Sequence, residues 1–108
     1  MADLKSEPTL ADLQRHIADI CAERGWDKNT DKEKFLLFVE EVGELAKEIR
    51  NTTGLYGKKA KGEEGRQHLE EEFADVLNYL LDLANTFNVD LEKAYRDKHK
   101  VNETRSWD

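Results

Sequence analysis

The apolar residues of this chain recur at intervals of three and four positions over four separate stretches, which is the period of an amphipathic helix. In the first stretch these residues are Leu10, Leu13, Ile17, Ile20 and Cys21. No stretch shows the strict alternation of apolar and polar positions that a half-buried strand requires. The pattern therefore predicts an all-α fold, a bundle of about four helices.

Capping residues and glycines predict where the first helices begin and end. Thr9 with Asp12, and Thr30 with Glu33, have the three-residue spacing of helix-capping pairs. Gly25 follows the first apolar stretch, where a glycine commonly ends a helix. Two helices are therefore expected to start just after the two threonines.

The middle of the chain predicts a loop between the second and third helices. The second helix is expected to end near Asn51, and the Gly- and Lys-rich segment 52–66 is predicted to be a mobile loop. Asn88 and Asp90 are expected to interrupt the chain again before a fourth helix. With a length of 108 residues, we predict one domain spanning 1–108.

The charge composition changes what such a bundle can bind and how it is stabilised. The chain has 24 Asp and Glu against 17 Lys and Arg, a net charge of −7. This negative field argues against binding to a nucleic-acid polymer or an anionic membrane. Because 38% of residues are charged, the apolar stripes are narrow and the core of a monomer is thin. We therefore expect self-association through apolar faces.

Cysteine content and hydropathy indicate the compartment. The single Cys21 excludes an intrachain disulfide framework and any zinc site with several cysteines. The sequence contains no apolar run long enough to span a bilayer, and its first residues do not have the pattern of a signal peptide. A cytoplasmic location is the expectation.

Two pairs of acids carry the candidate chemistry. Glu41 and Glu44 in the second helix, and Glu72 and Asp75 in the third, are each three residues apart, so each pair lies on one helical face. Helices joined by a loop pack antiparallel, which lets the two faces meet. Since no Lys or Arg is recognised on the same stripe, four converging carboxylates would need a cation. Mg²⁺ is the predicted ion, with Mn²⁺ as a substitute.

Together these motifs resemble the MazG-like all-α nucleoside triphosphate pyrophosphohydrolases. The pattern is E-E-x-x-E from Glu40 to Glu44, a spacer of 27 residues, then E-x-x-D from Glu72 to Asp75. The resemblance covers nearly the whole chain. It implies a helical fold and an Mg²⁺-dependent hydrolysis that yields a monophosphate and pyrophosphate, as in cleaning of the nucleotide pool. It also implies a dimer or tetramer.

The resemblance extends to residues that would bind a (deoxy)nucleoside triphosphate. Lys98 and Asn102 match a K-x-x-x-N motif, and Arg105 follows; these would contact the triphosphate. Trp26 and Tyr79 match positions that line the base pocket in dCTP pyrophosphatases. Arg50 and Asn51 stand near the place where those enzymes would have a second tryptophan, which leaves the preferred base open.

Two questions stay open at this level. Either Glu40 or Glu41 would act as the catalytic base, and spacing does not choose between them. A non-enzymatic helical interaction module, with its acids simply facing solvent, is the alternative from another functional class. Metal binding separates the two, because only a real site gains stability from a divalent ion.

Overall fold

The computed structural model describes residues 2–55 and 62–105. Over these ranges the chain forms α1 (Leu10–Arg24), a short 3-10 helix (Trp26–Lys28), α2 (Asp31–Thr53), α3 (Gly62–Thr86) and α4 (Leu91–Glu103). No β-strand occurs in the described ranges, so the predicted all-α class with four main helices is confirmed. None of the helices found there is both long and apolar enough to cross a bilayer.

The predicted capping pairs are present at the start of α1 and α2. The Thr9 hydroxyl accepts from the Asp12 backbone N–H at 3.1 Å, and the Asp12 carboxylate accepts from the Thr9 N–H at 3.0 Å. Thr30 and Glu33 repeat this exchange. The backbone hydrogen bond from Thr9, helped by Lys5, lowers the pKa of Asp12 to about 2. Each pair satisfies N–H groups that a helix start leaves without partners.

A residue with left-handed backbone conformation follows each of the first three main helices in the described part of the chain. Gly25 follows α1 with φ 73°, and Gly54 follows α2 with φ 74°. These values are easy only for glycine, which has no Cβ. Asn88 has φ 55° in the turn after α3, and the Asp90 carboxylate caps α4. The predicted stop at Gly25 and the predicted break at Asn88 and Asp90 are therefore confirmed.

The predicted loop 52–66 is too wide. Helix α2 continues to Thr53, and α3 already begins at Gly62, so both edges of the predicted loop are helical. The reason is local: Gly54 provides the left-handed stop, and two glutamates in the first turn of α3 favour a helix start. Residues 56–61, the middle of the predicted loop, lie outside the described residues.

The chain divides into two compact units, one formed by Met1–Lys28 with Leu81–Asp108 and the other by Asn29–Leu80. We call them the first and the second unit. The core of the first unit consists of Ile17, Cys21 and Leu81, and partly buried leucines and isoleucine of α1 and α4 pack against it.

The second unit contains two stripes along its helices. The inner stripe is buried or half-buried and follows alternating steps of four and three residues: 34, 38, 41, 45, 48 and 52 in α2, and 65, 69, 72, 76 and 79 in α3. The outer stripe is apolar but exposed, and it is shifted by one position: Phe35, Val39, Val42, Ile49, Phe73, Leu77 and Leu80. A heptad-like spacing of this kind gives each helix a seam for packing against another helix.

Candidate metal centre

Three carboxylates meet on the inner stripe of the second unit. Glu41 in α2 and Glu72 and Asp75 in α3 each offer one oxygen, and these oxygens lie within 4.8 Å of one another. Glu41 and Glu72 are half-buried, whereas Asp75 is exposed. The structure thus brings together three of the four acids that the sequence proposed as ligands.

The helical register explains why these acids meet. Glu72 and Asp75 are three residues apart, so they project from adjacent turns of one face of α3. Glu41 lies 12 residues before the end of α2 at Thr53, and Glu72 lies 10 residues after the start of α3 at Gly62. Such similar distances from the connection are what an antiparallel helical hairpin produces.

The group is electrostatically unfavourable without a counter-ion. Burial raises the pKa of Glu41, and the negative charges of Glu72 and Asp75 raise that pKa further. Two like charges at this separation repel by roughly 3 kcal/mol at an effective dielectric of about 20, before solvent screening at the exposed side reduces the value. The fold therefore holds the acids together against their own repulsion.

The donor set fits a hard divalent cation. Glu72 Oε2 is buried and has no hydrogen-bond partner among the described residues, which leaves a charged acceptor unsatisfied. Glu41, Glu72 and Asp75 would hold such an ion through carboxylate oxygens, which are the hard ligands that Mg²⁺ prefers.

The remaining acids of the motif lie outside this group. Glu40 and Glu44 are exposed in α2 and do not belong to the three-carboxylate group. A Cβ atom built on Gly43 meets no described atom within 4 Å, so there is open space beside the helix at this position. The role of Glu44 as a fourth ligand stays a prediction.

The predicted base-pocket residues belong to different units. Tyr79 is half-buried on the inner stripe of the second unit, one helical turn after Asp75. Trp26 belongs to the first unit and is 49% exposed, with the Arg24 guanidinium 4.9 Å from its ring centre. Part of the Trp26 side chain is therefore accessible for stacking.

The predicted triphosphate-binding residues all belong to the first unit, on or just after α4. Lys98 and Arg105 are exposed, as expected for cations that meet an anion from solution. Asn102 is half-buried, and its Oδ1 atom has no hydrogen-bond partner among the described residues. Their contacts with a substrate stay predictions.

One charged residue of the inner stripe was missed by the sequence analysis. Lys34 is 6% exposed and lies on the inner stripe, seven residues before Glu41. The expectation that no cation occupies this stripe is therefore wrong. The sequence prediction considered only the residues three and four positions from Glu41. Lys34 lies seven positions before Glu41, which is two helical turns along the same face.

The electrostatic cost of the group gives a testable prediction. A raised carboxyl pKa contributes stability below the pKa of the unfolded chain, and this contribution is lost as the pH rises through the folded-state pKa. We expect Glu41→Gln to stabilise the metal-free protein at neutral pH, by about 1 kcal/mol. The gain should shrink as the pH is lowered towards 4.5, the ordinary pKa of a glutamate. Urea unfolding in EDTA between pH 4.5 and 8 measures it.

The exposed neighbour Glu40 provides the control for that experiment. Glu40→Gln removes one acid from the same helix without removing a member of the group. An equal gain in both variants would show that overall charge, and not the local group, determines the effect.

Comparisons with known proteins identify the family of the chain. The MazG nucleotide pyrophosphohydrolase domain model matches residues 29–106, about 78 of the 108 residues. The chain is 41% identical over 101 residues to dCTP pyrophosphatase 1 of Homo sapiens, covering 92% of this chain and 59% of that protein. The Bos taurus protein of the same name is 39% identical over 102 residues. The chain thus spans about three fifths of the length of these relatives.

A solved structure gives the same result for the fold. The crystal structure of YPJD from Bacillus subtilis matches with a TM-score of 0.73 and 34% sequence identity, over 94% of this chain and all of that chain. The family model covers both Glu41 and the Glu72–Asp75 pair, the residues that form the carboxylate group. This chain belongs to the MazG nucleotide pyrophosphohydrolase domain family.

Proposed function

We propose that this protein hydrolyses (deoxy)nucleoside triphosphates between the α- and β-phosphates and releases a monophosphate and pyrophosphate. The observation that carries the proposal is the group formed by Glu41, Glu72 and Asp75, with oxygens within 4.8 Å of one another. The family membership supports the reaction class, since its model describes nucleotide pyrophosphohydrolases. Removal of unwanted nucleotides from the pool is the physiological role that fits.

The acids have the chemistry to hold Mg²⁺. Glu41, Glu72 and Asp75 would bind the ion, and Glu44 would join them as a fourth ligand. When bound, Mg²⁺ polarises phosphoryl oxygens and lowers the pKa of a coordinated water. The unpaired oxygen of Glu72 supports this assignment, because a cation removes its desolvation cost.

The proton of the attacking water passes to a carboxylate beside the group. Glu41 belongs to the group, so it would accept the proton through a carboxylate oxygen that the ion does not use. Glu40 is exposed and outside the group, so metal binding does not consume its oxygens. Both remain candidates for the general base.

Substrate binding is assigned to the charged and aromatic residues that the family resemblance indicates. Lys98 and Arg105 balance the triphosphate charge, the arginine through two parallel hydrogen bonds. Asn102 adds a neutral amide. Trp26 and Tyr79 are proposed to contact the base.

Self-association is the second part of the proposal. The outer stripe of the second unit exposes large apolar side chains, including Phe73 at 55%, Phe35 at 57% and Val39 at 47%. Exposed apolar stripes along helices are the kind of surface that helix bundles cover with another copy. We propose a dimer or a tetramer built on this stripe.

The reaction has a direct test. A panel of canonical and modified (deoxy)nucleoside triphosphates with Mg²⁺ should release pyrophosphate and monophosphate, with no orthophosphate as a primary product. Asp75→Asn should reduce kcat by about 100-fold or more, because it removes a charge from the proposed metal site. Phosphorus NMR distinguishes pyrophosphate from orthophosphate directly.

The matched control is Glu71→Gln, which removes an exposed acid of the same helix that is not part of the group. It should keep wild-type turnover. Full activity in Asp75→Asn, or orthophosphate as the product, would reject the proposed reaction.

Metal binding should be visible without turnover. A site that binds only the folded state stabilises it by about 2.7 kcal/mol when Mg²⁺ is at 100 times its Kd. We expect a rise in Tm with Mg²⁺ or Mn²⁺ that is lost in Glu72→Gln and kept in Glu71→Gln. Differential scanning calorimetry with and without the metal measures this. An interaction module with solvated acids would show no metal-dependent difference among the three proteins.

The outer stripe can be tested through the oligomeric state. Phe73→Glu places a charge in the middle of the stripe and should convert the assembly to monomers, as measured by light scattering after size exclusion. Tyr95→Glu is the control, since Tyr95 is an aromatic residue of α4 that is 74% exposed and does not belong to the stripe. A wild type that is monomeric at micromolar concentration would contradict the proposed association.

A further inference from the structure

The first turn of α4 is held by a side chain of α1. Gln14 Oε1 accepts a hydrogen bond from the Leu91 backbone N–H at 3.1 Å, and Gln14 Nε2 donates to the Val89 carbonyl. Leu91 is the first residue of α4, so its N–H has no partner within the helix. One amide group thus bonds the chain on both sides of Asp90, the N-cap of α4.

Two further contacts reinforce this arrangement. Asn85 Nδ2 donates to the Gln14 carbonyl at 2.9 Å, which connects the last turn of α3 to the same point of α1. In the opposite direction, Glu92 Oε1 accepts from the Ala11 N–H at 3.4 Å, near the start of α1. Helices α1 and α4 therefore satisfy each other's free N-terminal N–H groups through side chains.

The middle of α4 is exposed to solvent. Leu91 packs against the core of the first unit, all residues from 93 to 101 are exposed, and Asn102 is half-buried again. The bonds at the first turn therefore help to set the direction in which this exposed stretch leaves the core. A change at the first turn would be carried along the stretch to Asn102, as along a lever.

The lever length makes the first turn important for substrate binding. Asn102 is 11 residues from Leu91, which is about 16 Å along the axis, and a tilt of about 10° would move it by about 3 Å. An error of about 1 Å in the position of a binding group can reduce a rate by about 100-fold. Lys98 and Arg105 would be displaced with the same helix.

We propose that Gln14 is a positioning residue: its two hydrogen bonds across the α3–α4 turn set the direction of α4 and so place the substrate-binding residues Lys98, Asn102 and Arg105. This inference rests on the proposed function, because it assigns those three residues to the triphosphate. Gln14 itself touches neither substrate nor metal in this scheme.

Gln14→Leu removes both hydrogen bonds while keeping a side chain of similar size. We expect KM for the triphosphate to rise about tenfold or more. The rise in Tm with Mg²⁺ should be unchanged, since Glu41, Glu72 and Asp75 belong to the other unit. The angle between α1 and α4, measured from residual dipolar couplings of the full-length protein, should change, or the couplings of α4 should shrink towards disorder.

Two further variants make the result interpretable. Gln67→Leu is the control, because Gln67 is an exposed glutamine of α3 whose amide, within the described part of the chain, bonds to Glu71 of its own helix. Gln14→Glu keeps an acceptor for the Leu91 N–H but loses the donor to Val89. Its KM should lie between those of the wild type and Gln14→Leu. If Gln14→Leu does not fold, the KM of Gln14→Glu is the measurement that tests the proposal.

The outcomes separate this inference from the proposed function. A wild type that releases no pyrophosphate from any substrate would reject the function. An active wild type whose KM and helix angle do not change in Gln14→Leu would reject the role of Gln14. A lower Tm with unchanged KM and unchanged angle would show that Gln14 only stabilises the fold. That result also overturns the proposal.

Discussion

The repulsion among three carboxylates on one helical seam is the constraint on which the site depends. Glu41, Glu72 and Asp75 lie where two helices approach each other, a place usually filled by apolar side chains. The fold tolerates the cost because the rest of the inner stripe, with residues such as Leu45, Leu69 and Val76, still buries apolar surface. These acids therefore lower the stability of the metal-free protein and provide oxygens that can hold a cation, as expected of a functional site.

The same narrow stripes explain why the molecule exposes so much apolar surface. In the second unit, the outer stripe lies one residue position beside the inner stripe, so each helix has two adjacent stripes that can pack against other helices. A single hairpin can cover only one of them. This geometry supports the proposed association, and it makes the composition of the chain, with 38% hydrophobic residues, consistent with a fold whose described residues include few that are fully buried.

The sequence predicted the features that depend on local chemistry and missed those that depend on longer spacing. The caps at Thr9 and Thr30 and the stop at Gly25 follow from bonds between near neighbours, so they could be read directly. The meeting of Glu41 with Glu72 followed from helical period and hairpin topology. The burial of Lys34, two turns away, did not follow from the shorter steps considered. The bonds of Gln14 to the α3–α4 turn could not be predicted, because they join positions about 75 residues apart that only the tertiary fold brings together.

The helix caps have an effect that opposes that of the acid group. The carboxyl groups of Asp12 and Glu33 have lowered pKa values, because backbone N–H groups of Thr9 and Thr30 bond their charged forms. These two groups contribute fully to folding stability above the ordinary carboxyl pKa, and the contribution is lost as the pH falls through the lowered pKa. For Asp12 that loss occurs at a pH of about 2. Glu41 acts in the reverse sense, since its raised pKa penalises the folded state as the solution becomes alkaline. Judged by these three groups, acidification of the apoprotein relieves the acid group before it weakens the caps, because the pKa of Glu41 is raised and those of Asp12 and Glu33 are lowered.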